Sequence, residues 1–356
     1  MGSLLQSYAL KKILESMEAD VEFIDIKKIE QDFELLGNYK QSFHGENELP
    51  GLRGKLGKVD KYAFNRIHIR KQCDIQDAEF EKFRNYSLKL QKKSDRYDLC
   101  VIGSDEVFNC LNAGAWGFTS QLFGNVPEAK EVITYAASCG STTYEELPAI
   151  VADCIRDTFR RINGFSARDK NTHDFISRLT DKEIMDSFDP VLIYNFDQEV
   201  DLASLPELPK HYCVIYSYYN RIHTTEEIQA IKEFCARNRL TPVAVGAPQF
   251  WLKNYVVCTP FQCLKIFQHA DFVITDTFHG TIFSAKYAKK FAVLLRGSNR
   301  NKLLDLVEQI GIKNYLMDRV GELEEKYGMT HDKKTFDFLI KREQKKTIEY
   351  LQAYIV

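Results

Sequence analysis

The chain has 356 residues, with 48 Lys and Arg against 50 Asp and Glu, so its formal net charge of −2 supplies no overall basic field for nucleic acid. Hydrophobic residues make up 44% and aromatics 12%, which excludes disorder and low complexity, and the length predicts about two domains, each with a core of its own. No apolar run approaches the roughly 18 residues of a membrane helix, Met1 is not followed by a basic and then apolar leader, and the nine cysteines include no CxxC pair, so a soluble, cytoplasmic protein with reduced, mostly buried thiols is expected.

Residues 3–19 place Leu5, Tyr8, Leu10, Ile13, Leu14 and Met17 near helical spacing. Residues 21–26 alternate as a short strand, and 27–96 form a polar stretch with two helices, the second around 79–92. Inside it, residues 51–71 carry seven Lys or Arg against one acid, with Tyr62 and Phe64 interleaved; this reads as a solvated helix or loop, with a nucleic-acid or lipid-phosphate surface, the latter as peripheral contact to a membrane, as its functional alternative. Residues 98–103 (DLCVIG) form a buried strand that runs into Gly-Ser-Asp. Strand 132–136, helix 144–160, strand 164–167, helix 171–178 and strand 191–194 continue a doubly wound pattern. The stretch 197–210, with four acids and two Leu-Pro pairs, reads as a linker.

A second α/β series follows: strand 212–218, helix 225–238, strand 242–245, helix 260–269, strand 271–275, helix 279–289, strand 291–295 and helix 301–310. A polar helix over 334–353 is too charged for a core element and is expected to lie across the domains. The expected division is 1–197, 198–333 and 334–356, an α/β fold of two similar halves with a cleft between them, any ligand sitting at the carboxyl ends of the strands.

Four segments could carry chemistry. In TDTFHGT, a buried strand ends at Asp276, and His279, Gly280 and Thr281 open a helix whose N–H groups suit a phosphate. A helix N-terminus biases His279 toward neutrality and Asp276 can orient it, although Asp276 could equally be a cap and His279 a backbone-bonded ring. In IGSDEVFN, Ser104, Asp105 and Asn109 follow a strand, with a helix cap as the alternative. In FSARDK a strand delivers Arg168, suited to carboxylate or phosphate recognition or else to a surface ion pair. In LRGSNRNK, Arg296, Arg300 and Lys302 follow the last strand and would serve an anion. No GxGxxG, P-loop, GxSxG or HExxH occurs, which demotes Rossmann cofactor enzymes, NTPases, serine hydrolases and zincins. No metal cluster is visible, and no cofactor is expected.

Taken in order, GSLLQSYALKKIL, FEKFRNYSLKL, YDLCVIGSDEVFN, TYAASCG, FSARD, DPVLI and TDTFHGTIFS resemble the polysaccharide pyruvyl transferase family over most of the chain. The resemblance implies two Rossmann-like domains in a GT-B-like arrangement, the N-terminal one on the acceptor side and the C-terminal one on the donor and phosphate side. It implies transfer of a pyruvyl group from phosphoenolpyruvate to two hydroxyls of a glycan or lipid-linked sugar, forming a cyclic ketal and releasing phosphate. The family usually has a strand and an Asn-containing turn before the first helix, so the first strand is expected to be missing here. Glu106, Phe108 and Asp169 stand where relatives carry Gln, Trp and Glu, changes that bear on acceptor fit.

Such chemistry needs a proton for the methylene carbon, a base near the sugar hydroxyl, and cations for the carboxylate and phosphate. Asp105, Asp276 and His279 can supply the proton transfers, with His279 favoured as acid or phosphate ligand and Asp105 as base. Arg168, Arg296 and Arg300 can supply the cations, with Ser104, Asn109, Gly280 and Thr281 as further contacts. A glycosyltransferase using a nucleotide-sugar donor fits the same architecture, as does a non-catalytic sugar-phosphate binding protein.

Overall fold

The computed structural model describes residues 1–27, 63–90, 93–111 and 117–355. The chain divides into two compact units. One comprises Gln6–Glu46, Leu88–Tyr194 and Ile340–Val356; the other comprises Met1–Leu5, Asn47–Ser87 and Asn195–Leu339.

In the first unit, β1 (Tyr97–Ile102) pairs in parallel with β2 (Ala129–Thr134), and β3 (Phe165–Ala167) pairs in parallel with β4 (Ile184–Asp186). Parallel bridges from Ile133 to Gly164 and from Ala137 to Ala167 connect β2 to β3, which orders the four strands side by side. The connecting helices, Ala149–Phe159 and Lys170–Ser177, bury Val151, Ile155, Phe159, Phe175 and Ile176. The core is strongly aromatic: Phe108 stacks on Phe123 at 4.8 Å, and Phe159 meets Phe165 at 4.9 Å.

Three expectations change here. Residues 21–26 form no strand. The expected strand 191–194 is a short helix, Pro190–Ile193, because Asp189 caps it through the Val191 N–H and Pro190, with its preset φ, occupies the first turn. The polar C-terminal helix, Lys333–Gln352, does reach the core: Phe336, Ile340, Glu343, Thr347 and Leu351 are buried at helical spacing, a stripe that the flanking charges mask in sequence. In the first unit Thr347 Oγ1 lies 3.0 Å from the hydroxyl of Tyr135, and the Tyr350 hydroxyl donates to the Thr134 carbonyl at 3.0 Å.

The second unit holds β5 (Tyr212–Tyr216), β6 (Thr241–Val245), β7 (Tyr255–Val256), β8 (Phe272–Thr275), β9 (Phe291–Leu294) and β10 (Leu316–Met317). They form one six-stranded parallel sheet in the order β10-β9-β8-β5-β6-β7. Counted from β5, this is the doubly wound order 3-2-1-4-5-6, with its switch point between β5 and β8. The central strands β5, β8 and β9 are buried along their whole length, hence their unbroken apolar runs in sequence. The edge strands β7 and β10 have two residues each, too short to show a period.

The helix Ala63–Phe83 begins well before the expected residue 79 and is bonded to the β7 segment. Gln72 Nε2 donates to the Tyr255 carbonyl at 3.0 Å, and Gln76 exchanges two bonds with the backbone of Cys258, at 2.8 and 3.1 Å. The expected linker 197–210 opens as a helix, Asp197–Leu202. The basic stretch 51–71 lies outside the described residues as far as residue 62 and enters the Ala63–Phe83 helix thereafter. Among the described residues no helix is long and apolar enough to cross a membrane.

Candidate functional site

The carboxyl ends of β1, β2 and β3 gather the polar residues of the first unit. Gly103 has φ +135°, and a Cβ there would overlap the carbonyl oxygen of Tyr135, so the exit from β1 requires glycine. Asp105 follows with φ 73°, a left-handed conformation uncommon outside glycine. Its backbone holds it there: the Asp105 carbonyl accepts from Ser138 N at 3.0 Å and from Val107 N at 2.9 Å. The Asp105 side chain remains 38% exposed.

Arg168 leaves β3 with its side chain only 2% exposed. Its Nη1 donates to Asp189 Oδ2 at 2.9 Å, and its Nη2 lies 4.0 Å from Asp105 Oδ1. Asp189, fully buried, also accepts from Gln6 Nε2 at 2.7 Å, and the same amide donates to Ser104 Oγ at 2.6 Å. Burial acts to lower the Arg168 pKa, but Asp189, Asp105 and Asp169 raise it further, so the guanidinium stays charged. Asp169 is spent on architecture: it caps the helix Lys170–Ser177 through Thr172 N at 2.8 Å and accepts from Ser138 Oγ at 2.7 Å. Asn109 is buried and bonded within its own neighbourhood, donating to Glu106 Oε2 at 2.6 Å and accepting from Thr142 Oγ1 at 2.8 Å.

In the second unit the cap of the helix Phe278–Tyr287 is Thr277, whose Oγ1 accepts from Gly280 N at 3.0 Å. Asp276 is therefore free of the capping role. Gly280 N–H is taken by this cap, and both the N–H and the hydroxyl of Thr281 go to the Thr277 carbonyl. A Cβ on Gly280 would overlap Thr275 Oγ1, so these two residues seat the helix tightly against the ends of β8 and β5. His279 is half-buried; its ring lies 5.6 Å from that of Phe278 and 6.1 Å from that of Phe283, and a Cβ on Gly2 would overlap it.

Asp276, with 1% of its side chain exposed, accepts from Arg296 Nε at 3.0 Å and lies 3.9 Å from Arg221 Nε. Burial pushes its pKa up, against the lowering influence of the nearby Ser217 hydroxyl and the two arginines. Arg296 is further pinned by Glu227, in the first turn of the helix Thr225–Arg237, and Asn299 Nδ2 donates to the Asp276 carbonyl at 2.7 Å. Arg296 Nη2 is buried and has no hydrogen-bond acceptor among the described residues. Arg300, by contrast, is half exposed and pairs with Asp318 at 2.9 Å. Lys302 Nζ sits 5.6 Å from the Phe278 ring. No group of three His, Cys, Asp or Glu assembles as a metal site among the described residues.

Sequence reasoning missed Gln6, Asp189, Arg221 and Glu227. Gln6 and Asp189 lie inside segments that carry the resemblance, GSLLQSYAL and DPVLI, but nothing local distinguishes a buried tether from an ordinary polar residue. Arg221 carried a usable signal, a cation in the loop directly after a buried strand.

The family model described as polysaccharide pyruvyl transferase matches residues 1–298. No curated protein matched the chain.

Proposed function

The chain belongs to the polysaccharide pyruvyl transferase family, and from that premise we propose that it moves a pyruvyl group from phosphoenolpyruvate onto two hydroxyls of a sugar in a surface glycan or its lipid-linked precursor. The observation that carries this reading is a repeated device: in each unit a buried aspartate at the sheet's carboxyl edge clamps an arginine, Asp189 on Arg168 and Asp276 on Arg296. Cations so fixed suit a donor that bears both a carboxylate and a phosphate, because they need no reorganisation as charge develops. Each unit is read as a Rossmann-like domain.

In the reaction, a proton adds to the methylene carbon of the enol phosphate and a sugar hydroxyl bonds to C2, which has become oxocarbenium-like. The second hydroxyl then bonds to C2 as the C–O bond to phosphate breaks, so that the products are a cyclic ketal and inorganic phosphate. Asp105, held in reach of solvent beside Arg168, is assigned as the base for the acceptor hydroxyl. His279 is assigned as general acid or phosphate ligand, and Arg168 and Arg296 hold the donor's anions. Ser104 and Asn109 shape the loop that presents Asp105. A donor drawn from central metabolism puts the reaction on the cytoplasmic side, and contact of the 51–71 stretch with a membrane would serve a lipid-linked acceptor.

The test is release of inorganic phosphate from phosphoenolpyruvate by the purified protein across a panel of acceptor glycans, with the ketal identified by mass spectrometry. Turnover of a nucleotide sugar with no reaction of phosphoenolpyruvate would replace this reading with a glycosyltransferase.

A further inference from the structure

We propose that Arg221 and Arg296 together form the anion-binding element of the second unit, a two-guanidinium cradle for a phosphate monoester, with Tyr218 supporting Arg221. This deepens the pyruvyl-transfer reading by naming the donor's phosphate contacts and adds a residue, Arg221, that no motif marked.

The sheet order supplies the first argument. Arg221 follows β5, Asp276 follows β8 and Arg296 follows β9, and these three strands are neighbours, so their loops share one carboxyl edge and flank the β5/β8 switch point. In doubly wound sheets the chain diverges at that point and leaves a crevice where anionic ligands sit.

The second argument is the state of the cations. Asp276 holds Arg296 through Nε and lies 3.9 Å from Arg221 Nε, and Glu227 takes Arg296 Nη1. One guanidinium edge is thereby locked, while Nη2, buried and without an acceptor among the described residues, remains to bond a ligand. An unsatisfied buried donor on a charged group is costly, and an arriving oxyanion removes that cost.

The third is the placing of Arg221. Its side chain is 13% exposed, with the guanidinium 5.1 Å from the Tyr218 ring centroid. Its loop is braced by Arg221 N to Tyr218 O at 3.1 Å and by Gln249 Nε2 to the same carbonyl at 2.8 Å. A stacked, braced arginine loses little entropy on binding. The two cations and two carboxylates balance in charge, so orientation rather than net charge makes the cradle. The positive end of the helix Phe278–Tyr287, which starts just after Asp276, adds to it.

Titration calorimetry with inorganic phosphate and with phosphoenolpyruvate tests this on the full chain, its Arg221→Gln and Arg221→Lys variants, and Arg237→Gln as a control at an exposed arginine paired with Glu324. Arg221→Gln should weaken both ligands at least tenfold, Arg221→Lys should recover part of the loss, and Arg237→Gln should stay within twofold of the unmodified chain. Wild-type affinity in a folded Arg221→Gln variant, or no phosphate binding by the unmodified chain, overturns the cradle. If phosphate binding depends on Arg221 but phosphoenolpyruvate is never turned over, the cradle stands and the pyruvyl-transfer reading falls. If phosphoenolpyruvate is turned over normally without Arg221, the reading stands and the cradle falls.

Discussion

Asp105 and Asp169 both follow a strand, yet the fold uses them in opposite ways. Asp169 spends both oxygens on Thr172 and Ser138, whereas Asp105 has a left-handed backbone and a side chain open to solvent beside a buried arginine. A non-glycine residue held at φ 73° by two backbone bonds is a conformation that the surroundings impose. Asp105→Asn tolerates the same backbone, since asparagine accepts left-handed geometry, but removes proton acceptance. Turnover should then fall by about 10² to 10⁴, with phosphoenolpyruvate affinity nearly intact because cations hold the donor. Near-normal turnover in steady-state phosphate release would reduce Asp105 to a loop residue. Here the sequence was legible in part: Gly-Ser-Asp after an apolar run placed Asp105 at a strand end, but the identity of the carboxylate that clamps Arg168 required the fold, since Asp189 lies on a different segment.

At the scale of elements, two attachments carry measurable consequences. Gln76, 2% exposed, satisfies both the N–H and the carbonyl of Cys258 and thereby joins the helix Ala63–Phe83 to the β7 segment. Gln76→Ala leaves two buried backbone groups without that partner, a loss of roughly 1–3 kcal/mol. It should lower the melting temperature by several degrees in calorimetry; an unchanged value would mean that water replaces the amide. His331 joins the segment before the last helix to the helix Phe278–Tyr287, through the Ala285 carbonyl at 2.9 Å and ring contacts with Phe291, Tyr315 and Phe336. Burial lowers its pKa below the ordinary 6.5, against a weaker opposing effect of the Ala285 bond. The unfolded chain then binds the proton more readily, so this contribution to stability is fully present above about pH 6.5 and is lost as pH falls through the folded value. Denaturant titrations at several pH values should show that slope, and His331→Gln should remove it; an identical slope in the variant would assign the effect elsewhere.

Over the whole molecule none of the nine cysteines is in a disulfide, and six are buried, with Cys73, Cys100 and Cys154 partly exposed. Burial pushes the thiols of Cys100, Cys110 and Cys139 up to about 12, and those of Cys213 and Cys263 are also raised by burial. Because the thiolate is the reactive form, a disulfide reagent at pH 8 should modify the native protein slowly, starting at Cys73 and Cys154, and react with all nine only after unfolding. Rapid native labelling of Cys110 or Cys139, read by peptide mass spectrometry, would show that the first unit opens readily.

Local pattern by itself determined the parallel strands at β5, β8 and β9 and the helices between them, because a strand buried on both faces must be apolar throughout and a helix must repeat its apolar face; β1, expected from its apolar run to be buried as well, buries only Ile102. The seven ordered segments determined the family. Where neighbouring charges outnumber the apolar positions, as in Lys333–Gln352, the core stripe was hidden, and where a proline and a cap outweigh β-branched residues, as in Pro190–Ile193, a strand was read for a helix. Tertiary structure alone decided which charges meet. Asp276 was read as a partner for His279, three residues away, but its carboxylate is bonded to Arg296 and lies near Arg221, brought there because β9, β8 and β5 lie side by side. Sequence spacing can only suggest neighbours within a turn or two of chain, whereas a buried carboxylate is stabilised by whichever cation the sheet order delivers to it.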